Sequence, residues 1–395
     1  GFAVAAVIRR LQDTRKQTAI ETPTAVEVYS ENQYMALDMS ARRNLELTRS
    51  MMTGDKKHSL LWVIDKTKTP MGKRLIRRWL ENPLLSIPKI TRRQNAVAEM
   101  TDAVVKRDKI RQALTGVTDM ERLVTRIVYG AANARELRTL CAAIGHLPGI
   151  KALLAGASSA FVQQIEADID ELQDIAEQID CAIEEEPPFT LREGGLIKAG
   201  YNAELDELRS IMNDTAGLIA EIEEREKAAT GIPKLKVGYN KVFGYYIEVT
   251  NSYKELVPDT YIRKQTLVNA ERYITDELKK LESRIIGAKD RSTALEYELF
   301  CAVRKSVADS SERIQSTARA LARLDTVCSL AEVAEKRGYV CPRVDDSGEI
   351  RITDGRHPVV EALLDGGVFV PNDTLLDKND NRCAIITGPN MAGKS

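Results

Sequence analysis

The last eight residues of the chain have the types and spacing of a phosphate-binding loop. They match the pattern G-x-x-x-x-G-K-S, in which glycines let backbone N–H groups approach phosphate oxygens. The lysine of this pattern spreads charge over the β- and γ-phosphates, and the serine hydroxyl binds Mg²⁺. The pattern predicts a site for ATP or GTP, with Lys394 as the catalytic cation and Ser395 as the metal ligand. The predicted nucleotide-binding residues of the loop are Gly388, Pro389, Asn390, Met391, Ala392, Gly393, Lys394 and Ser395.

A second segment combines residue types that suit a nucleic-acid backbone. Residues 231–275 contain seven Lys or Arg against four Asp or Glu, interleaved with Tyr, Asn, Gln and Thr. Such side chains reach phosphate oxygens without reading bases. The candidate DNA-binding residues are Lys241, Asn251, Arg263, Lys264, Gln265 and Thr266. An ordinary polar hairpin is the alternative interpretation.

Elements of two kinds must position these groups. The apolar run 384–387 predicts a β-strand directly before the phosphate loop, which is the context that such a loop requires. Helical periodicity without an internal proline predicts one long helix over residues 199–229, roughly 45 Å at ~1.5 Å per residue. Alternating residues at 235–239 and 245–250 predict strands, and periodicity predicts helix nearly throughout 269–336.

This order of elements predicts a small β-rich tip between an outgoing and a returning helix, as in a clamp on a stalk. The alternative is a solvent-exposed antiparallel coiled coil without a ligand. The acidic run 221–226 is most simply interpreted as a solvated helix face, which would repel phosphate.

Composition favours a folded and mainly helical protein. The 395 residues are 43% hydrophobic and only 5% aromatic, which excludes collagen-like and wholly disordered classes and makes all-β architectures improbable. The length suggests two to four domains. The net charge of −1 conceals a segregation, with 27 Lys or Arg against 15 Asp or Glu in residues 1–160, and 5 against 19 in residues 161–230.

Cysteine usage and hydropathy point to the cytoplasm. The six cysteines are scattered without a metal-ligand spacing, so we expect reduced thiols, no zinc site and no disulfide framework. No apolar run approaches the ~20 residues that span a bilayer. The chain starts with Gly1 and stops inside a motif, so we expect it to be a piece of a longer protein.

Several motifs together resemble one family. The loop interior Pro-Asn-Met at 389–391 is similar to that of the MutS DNA mismatch repair ATPases, and is far more specific than the generic loop pattern. The resemblance covers essentially the whole chain in the family's order. Further matching segments are GRHPVVE at 355–361, DMERL at 119–123, YMALD at 34–38, RRNLEL at 42–47, GYYI at 244–247 and NAERY at 269–273.

The resemblance implies a mainly α fold with a long-helix core or lever, an inserted small β-containing clamp, and the truncated start of an α/β P-loop (ABC-type) ATPase domain. The domain limits that we infer are 1–28 for the end of a connector domain, 29–230 and 269–337 for the core or lever, 231–268 for the clamp tip, and 338–395 for the start of the ATPase domain.

The function implied by the resemblance is binding of mismatched double-stranded DNA, with ATP and Mg²⁺ used to switch the clamp. It also implies a DNA-dependent ATPase that forms a homodimer, recruits repair factors such as MutL and is cytoplasmic. Phe369 and Asn372 lie where the family contacts adenine, although Phe369 could instead be a small-core aromatic. Because the rest of the ATPase domain is missing, we expect little ATP hydrolysis by this chain alone.

Two other classes stay open at this stage. One is a MutS relative that binds DNA junctions without reading mismatches. The other is a coiled-coil chromosome-organising ATPase, although in that architecture the phosphate loop precedes the long helices, whereas here it follows them.

Overall fold

The computed structural model describes residues 33–190, 194–240, 244–364, 369–385 and 387. These residues are mainly helical with a few strands in small sheets, which confirms the predicted mainly α class, whereas the start of a P-loop ATPase domain stays a prediction. They belong to two compact units, one with the described residues of 1–64, 77–94 and 341–395, and the other with those of 65–76 and 95–340. Among the described helices, none is both long and apolar enough to cross a membrane.

The elements of the described residues follow in chain order. The α-helices are α1 Met39–Asn44, α2 Leu60–Ile64, α3 Pro70–Glu81, α4 Ile87–Asp102, α5 Val104–Thr115, α6 Met120–Val128, α7 Ala134–Ile144, α8 Leu147–Leu154, α9 Ala160–Asp168, α10 Gln173–Ala182, α11 Ala203–Asn213, α12 Thr215–Thr230, α13 Asp276–Asp309, α14 Ser311–Arg337 and α15 Pro358–Leu363. The strands are β1 Lys236–Asn240, β2 Gly244–Thr250, β3 Ile262–Thr266, β4 Ala270–Ile274, β5 Ile350–Gly355 and β6 Asn372–Leu376.

The larger unit is built around helix α14. This helix packs against α5, α6 and α9, while α13 packs against α6, α10 and α11. Burial on several sides explains why α14 carries apolar residues beyond a single stripe, since a helix enclosed by neighbours has little polar face. Its fully buried apolar residues include Ile314, Ala318, Ala320, Leu321, Leu324, Val327, Cys328 and Ala331.

One buried carboxylate on α14 holds the start of α3. Asp325 has no exposed surface and accepts hydrogen bonds from the backbone N–H groups of Lys68 (2.9 Å) and Thr69 (2.7 Å). The Thr69 hydroxyl donates to the same carboxylate at 2.7 Å and accepts from the N–H of Gly72 at 2.9 Å. Burial raises the pKa of Asp325, although these hydrogen bonds oppose the shift. Asp325 thereby satisfies N–H groups that a helix start leaves unpaired.

Gly72 leaves room for this carboxylate, which gives a prediction. A Cβ atom at Gly72 would overlap with Asp325 Oδ2, whose position is fixed by its hydrogen bonds. We expect Gly72→Ala to lower the free energy of unfolding by about 2 kcal/mol through overpacking, despite the ~1 kcal/mol that alanine gains in a helix. The matched control is Gly287→Ala in α13, where no atom lies within 4 Å. Urea denaturation should show the control unchanged or stabilised, and equal stability of both variants would contradict the packing argument.

The smaller unit combines short elements. Gln33 to Met35 run beside Pro83 to Leu85 through a bridge at Tyr34, and the Met35 N–H donates to the Pro83 carbonyl at 2.8 Å. Helix α2 packs against α15, and β5 pairs with β6 in an antiparallel two-stranded sheet.

Two helix predictions are wrong in part. The predicted helix over 199–229 begins only at Ala203 and is divided at Asp214, where α11 packs against α13 whereas α12 packs against β1. The predicted helix from Asn269 is wrong for residues 270–274, which form β4 between β2 and β3. Helix α13 begins only after Thr275, whose side chain accepts a hydrogen bond from the Leu278 N–H at 3.2 Å. The apolar residues of β4 fit the periodicity of a helix as well as that of a strand. Pairing with β2 and β3 stabilises the strand.

The strand predicted at 384–387 is also wrong for the residues that the structure describes there. Ala384, Ile385 and Thr387 are not in a strand, and Ile386 lies outside the described residues. A strand requires a hydrogen-bonded neighbour, and among the described residues of this unit only β5 and β6 form a sheet.

Candidate nucleic-acid interface

Three strands in the predicted clamp region 231–268 join β4, which follows it at Ala270–Ile274, in a four-stranded antiparallel sheet of order β1-β2-β4-β3. Its register places Val237, Ile247 and Tyr273 in one row across β1, β2 and β4. This row faces a hydrophobic core shared with α12 and the start of α13, where Ile222, Leu278 and Leu281 are buried. The sheet therefore has one face in a core, and its chain connections lead to α12 and α13.

Two acidic residues of α12 fasten the sheet. Glu223 accepts a hydrogen bond from the Val237 N–H at 3.0 Å, and Glu226 accepts from the Tyr261 hydroxyl at 2.6 Å. Burial, followed by this bond to Glu226, raises the pKa of Tyr261. The interpretation of 221–226 as a solvated face is therefore wrong for these two glutamates, although Glu221 and Glu224 are exposed.

The other face of the sheet carries a polar row. Arg272 on β4 donates to Glu248 on β2 at 2.9 Å and to the Gln265 side-chain oxygen on β3 at 3.0 Å. Its guanidinium also lies 4.3 Å from the centre of the Tyr246 ring, a cation–π distance. The predicted DNA-binding residue Gln265 is therefore engaged within the sheet.

Strand β3 is interrupted by a bulge at Lys264. Arg263 pairs with Tyr273 and Gln265 pairs with Arg272, so Lys264 has no residue opposite it. Lys264 is exposed and makes no ion pair with any residue that the structure describes. Thr266, the last residue of β3, is exposed as well. Both side chains are therefore accessible to a ligand.

Asn251 supports the loop between β3 and β4. It begins the 3₁₀ helix Asn251–Leu256, its side-chain amide donates to the Val268 carbonyl at 3.1 Å, and its N–H donates to the Asn269 carbonyl at 3.1 Å. Val268 itself is 92% exposed. Asn251 therefore shapes the exposed end of the sheet. The predicted residue Lys241 lies outside the described residues.

A buried carboxylate engages Arg263. Glu271 is only 2% exposed and lies 2.6 Å from the Lys254 ammonium and 3.4 Å from the Arg263 guanidinium. The hydrogen bond from Lys254, and then that from the Tyr273 hydroxyl, lower the pKa of Glu271. Burial and the bond to Glu271 raise the pKa of Tyr273 to about 12.

Neither Lys254 nor Glu271 was among the candidates from the sequence. Alternation in β4 places Glu271 on the same face as Tyr273, and an acid on an apolar face is a signal that could have been found. The position of Lys254 carried no such signal, because its partner is 17 residues away on another element.

Most of the predicted nucleotide-binding residues lie outside the residues that the structure describes. Residues 388–395 are outside the described residues, so Lys394 and Ser395 stay predictions. Phe369 is half-buried, and Asn372 opens β6, pairs with Gly355 and donates to the Val370 carbonyl at 3.3 Å. Among the described residues, no group of three or more His, Cys, Asp or Glu side chains is placed to hold a metal ion.

The four-stranded sheet is thus connected on both sides to helices of a mainly helical unit. The model of MutS domain III matches residues 40–331. The chain belongs to the MutS family. Membership argues against the alternative of a coiled-coil chromosome-organising ATPase.

Curated relatives match the chain along its whole length. The chain is 49% identical over 393 residues to the DNA mismatch repair protein MutS of Acetivibrio thermocellus. The aligned residues cover 100% of this chain and 45% of the relative. The proteins of the same name from Lachnoclostridium phytofermentans and Ruminiclostridium cellulolyticum are 47% and 48% identical, with 42% and 45% of their lengths covered. The chain therefore spans less than half the length of these relatives.

Proposed function

We propose that this chain is the DNA-holding core of a mismatch repair protein, and that its four-stranded sheet contacts the backbone of duplex DNA. The observation that carries the proposal is the bulge at Lys264, which presents an exposed cation without an ion-pair partner among the described residues. The printed names of the relatives, DNA mismatch repair protein MutS, support the same process.

Charge and chemistry favour contact with phosphates rather than with bases. Lys264, Thr266 and the half-exposed Lys254 offer N–H and O–H donors, which suit phosphate oxygens in any sequence. The exposed acids of α12 would repel DNA from the helix that supports the sheet. We therefore propose binding that is independent of base sequence at this sheet, with recognition of a mismatch supplied elsewhere in a longer protein.

In such a longer protein we propose that ATP controls the grip on DNA. Lys394 would contact the β- and γ-phosphates, and Ser395 would hold Mg²⁺, which neutralises phosphate charge. Phe369 would stack on the adenine ring and Asn372 would lie beside it. Helix α13, about 50 Å long at ~1.5 Å per residue, is a rigid connection to the sheet. Closure of two ATPase domains in a homodimer would move the sheet on DNA, and MutL would respond to that state.

The sheet is tested by reversing one charge. Lys264→Glu is expected to lower duplex affinity about equally for matched and mismatched DNA, and to reduce the slope of log affinity against log salt by about 1, because one phosphate contact is lost. Arg263 is left unchanged because it binds Glu271. The measurement is fluorescence anisotropy of labelled duplexes at several salt concentrations.

The matched control is Lys109→Glu, which makes the same change of net charge at an exposed position of α5. It should bind duplex nearly as the wild type does. Wild-type affinity and salt slope in Lys264→Glu would remove this strand from the interface. Tighter binding to four-way junctions than to mismatched duplexes would instead favour a family relative that binds junctions.

A further inference from the structure

Two cations from different elements meet at one buried acid of the sheet. Oε1 of Glu271 lies 2.6 Å from Nζ of Lys254, on the 3₁₀ helix, and 3.4 Å from Nη1 of Arg263, on β3. The other carboxylate oxygen, Oε2, accepts a hydrogen bond from the Tyr273 hydroxyl. Both oxygens of Glu271 are thus occupied, and one of them fixes the distance between the two cations.

The acid is enclosed, whereas the cations are not. Glu271 is 2% exposed, but the side chains of Lys254 and Arg263 are 53% and 59% exposed. A lysine has three N–H donors and an arginine has five. Only Oε1 of Glu271 lies near the two cations. Most N–H donors of Lys254 and Arg263 therefore remain available to a ligand on the solvent side. The cluster carries a net charge of +1, which matches the single negative charge of a phosphodiester.

The geometry points to Glu271 as a positioning residue that holds Lys254 and Arg263 together as one site for a backbone phosphate of duplex DNA. This inference rests on the proposed function and deepens it. Without the acid between them, the like charges of Lys254 and Arg263 would repel each other, and the two side chains would adopt separate positions. With the acid, each cation can donate to a different non-bridging oxygen of the same phosphate.

The positioning role predicts that replacing Glu271 weakens DNA binding, whereas the change in net charge alone would strengthen it. Removing a negative charge from a DNA-binding surface normally strengthens binding through long-range attraction. If Glu271 positions the two cations, Glu271→Gln weakens binding, because the neutral amide no longer holds them. If Glu271 only offsets charge, the same variant strengthens binding. The sign of the change therefore separates the two roles.

The experiment measures duplex affinity against salt concentration for the wild type, Glu271→Gln and the control Glu255→Gln. Glu255 lies on the same 3₁₀ helix as Lys254 and is exposed, so its variant makes the same change of net charge. We expect Glu271→Gln to bind about five- to tenfold more weakly, as for the loss of a charge-assisted hydrogen bond, and Glu255→Gln to bind equally or more tightly. Tighter binding by both variants would overturn the inference.

A second variant keeps the inference testable if Glu271→Gln disturbs the fold, which near-ultraviolet circular dichroism would reveal. Lys254→Gln changes a half-exposed side chain, and we expect it to weaken binding about fivefold and to reduce the salt slope by about 1. Wild-type affinity and slope in Lys254→Gln would overturn the inference whatever the first variant does. Absence of duplex binding by the wild type is a different result, since it would refute the proposed function and this site together.

Discussion

Replacing Asp325 by alanine is expected to lower the free energy of unfolding by about 3–5 kcal/mol, because it removes the acceptor of several buried donors at once. The change leaves the N–H groups of Lys68 and Thr69 without an acceptor in the core, and each such group costs about 1–3 kcal/mol. Urea denaturation followed by circular dichroism measures the loss. A variant as stable as the wild type would show that the start of α3 does not depend on this carboxylate.

The variant Asp325→Asn keeps the shape of the side chain but removes its negative charge, so it separates the contributions of shape and charge to stability. It keeps one acceptor but turns an NH₂ group towards backbone donors, so its stability should lie between those of the wild type and the alanine variant. Burial raises the pKa of Asp325, so the folded state favours the protonated acid more than the unfolded chain does. The stability of the wild type relative to Asp325→Asn should therefore increase as pH falls through this raised pKa. An opposite pH dependence would contradict the assignment.

Replacing Lys394 by alanine is expected to lower ATP hydrolysis about 100-fold or more in a protein that has the full length of the relatives. The predicted loop pattern gives this lysine the charge that offsets developing negative charge on the transferred phosphate, and the loss of one such group costs about 10²–10³ in rate. The assay is steady-state phosphate release with and without duplex DNA.

The control for this loss is Lys89→Ala, an exposed lysine of α4. It should hydrolyse ATP at the wild-type rate. Nucleotide binding measured by filter retention should fall only in Lys394→Ala. Hydrolysis unaffected by Lys394→Ala would exclude the loop at 388–395 as the ATP site.

The sequence predicts local patterns well in this chain. The strands at 236–240 and 244–250 follow from alternation, because one face of each strand lies in a core and the other does not. The family motifs are recognised directly because they depend on fixed spacing within a few residues, and the family model confirms the membership that they indicate, whereas the phosphate loop stays a prediction. The domain limits proposed from the family stay predictions.

Features that depend on partners distant in sequence could not be predicted. Arg263 and Lys264 are adjacent cations in the sequence, but the bulge gives them different surroundings: Arg263 binds a buried acid, and Lys264 points to no residue of the opposite strand. Periodicity likewise continues through Asp214, since a break of one residue hardly changes the apolar pattern, and only the different neighbours of α11 and α12 separate them.

The hydrophobic core beneath the four-stranded sheet has a consequence for the order in which the molecule forms. All of its residues fall between Leu218 and Ile285, so every contact joins positions that leave the ribosome close together in time. Such short-range contacts form early and quickly. The sheet can therefore assemble on its nascent chain before α14 has been translated, and the packing of α14 against α5, α6 and α9 forms afterwards.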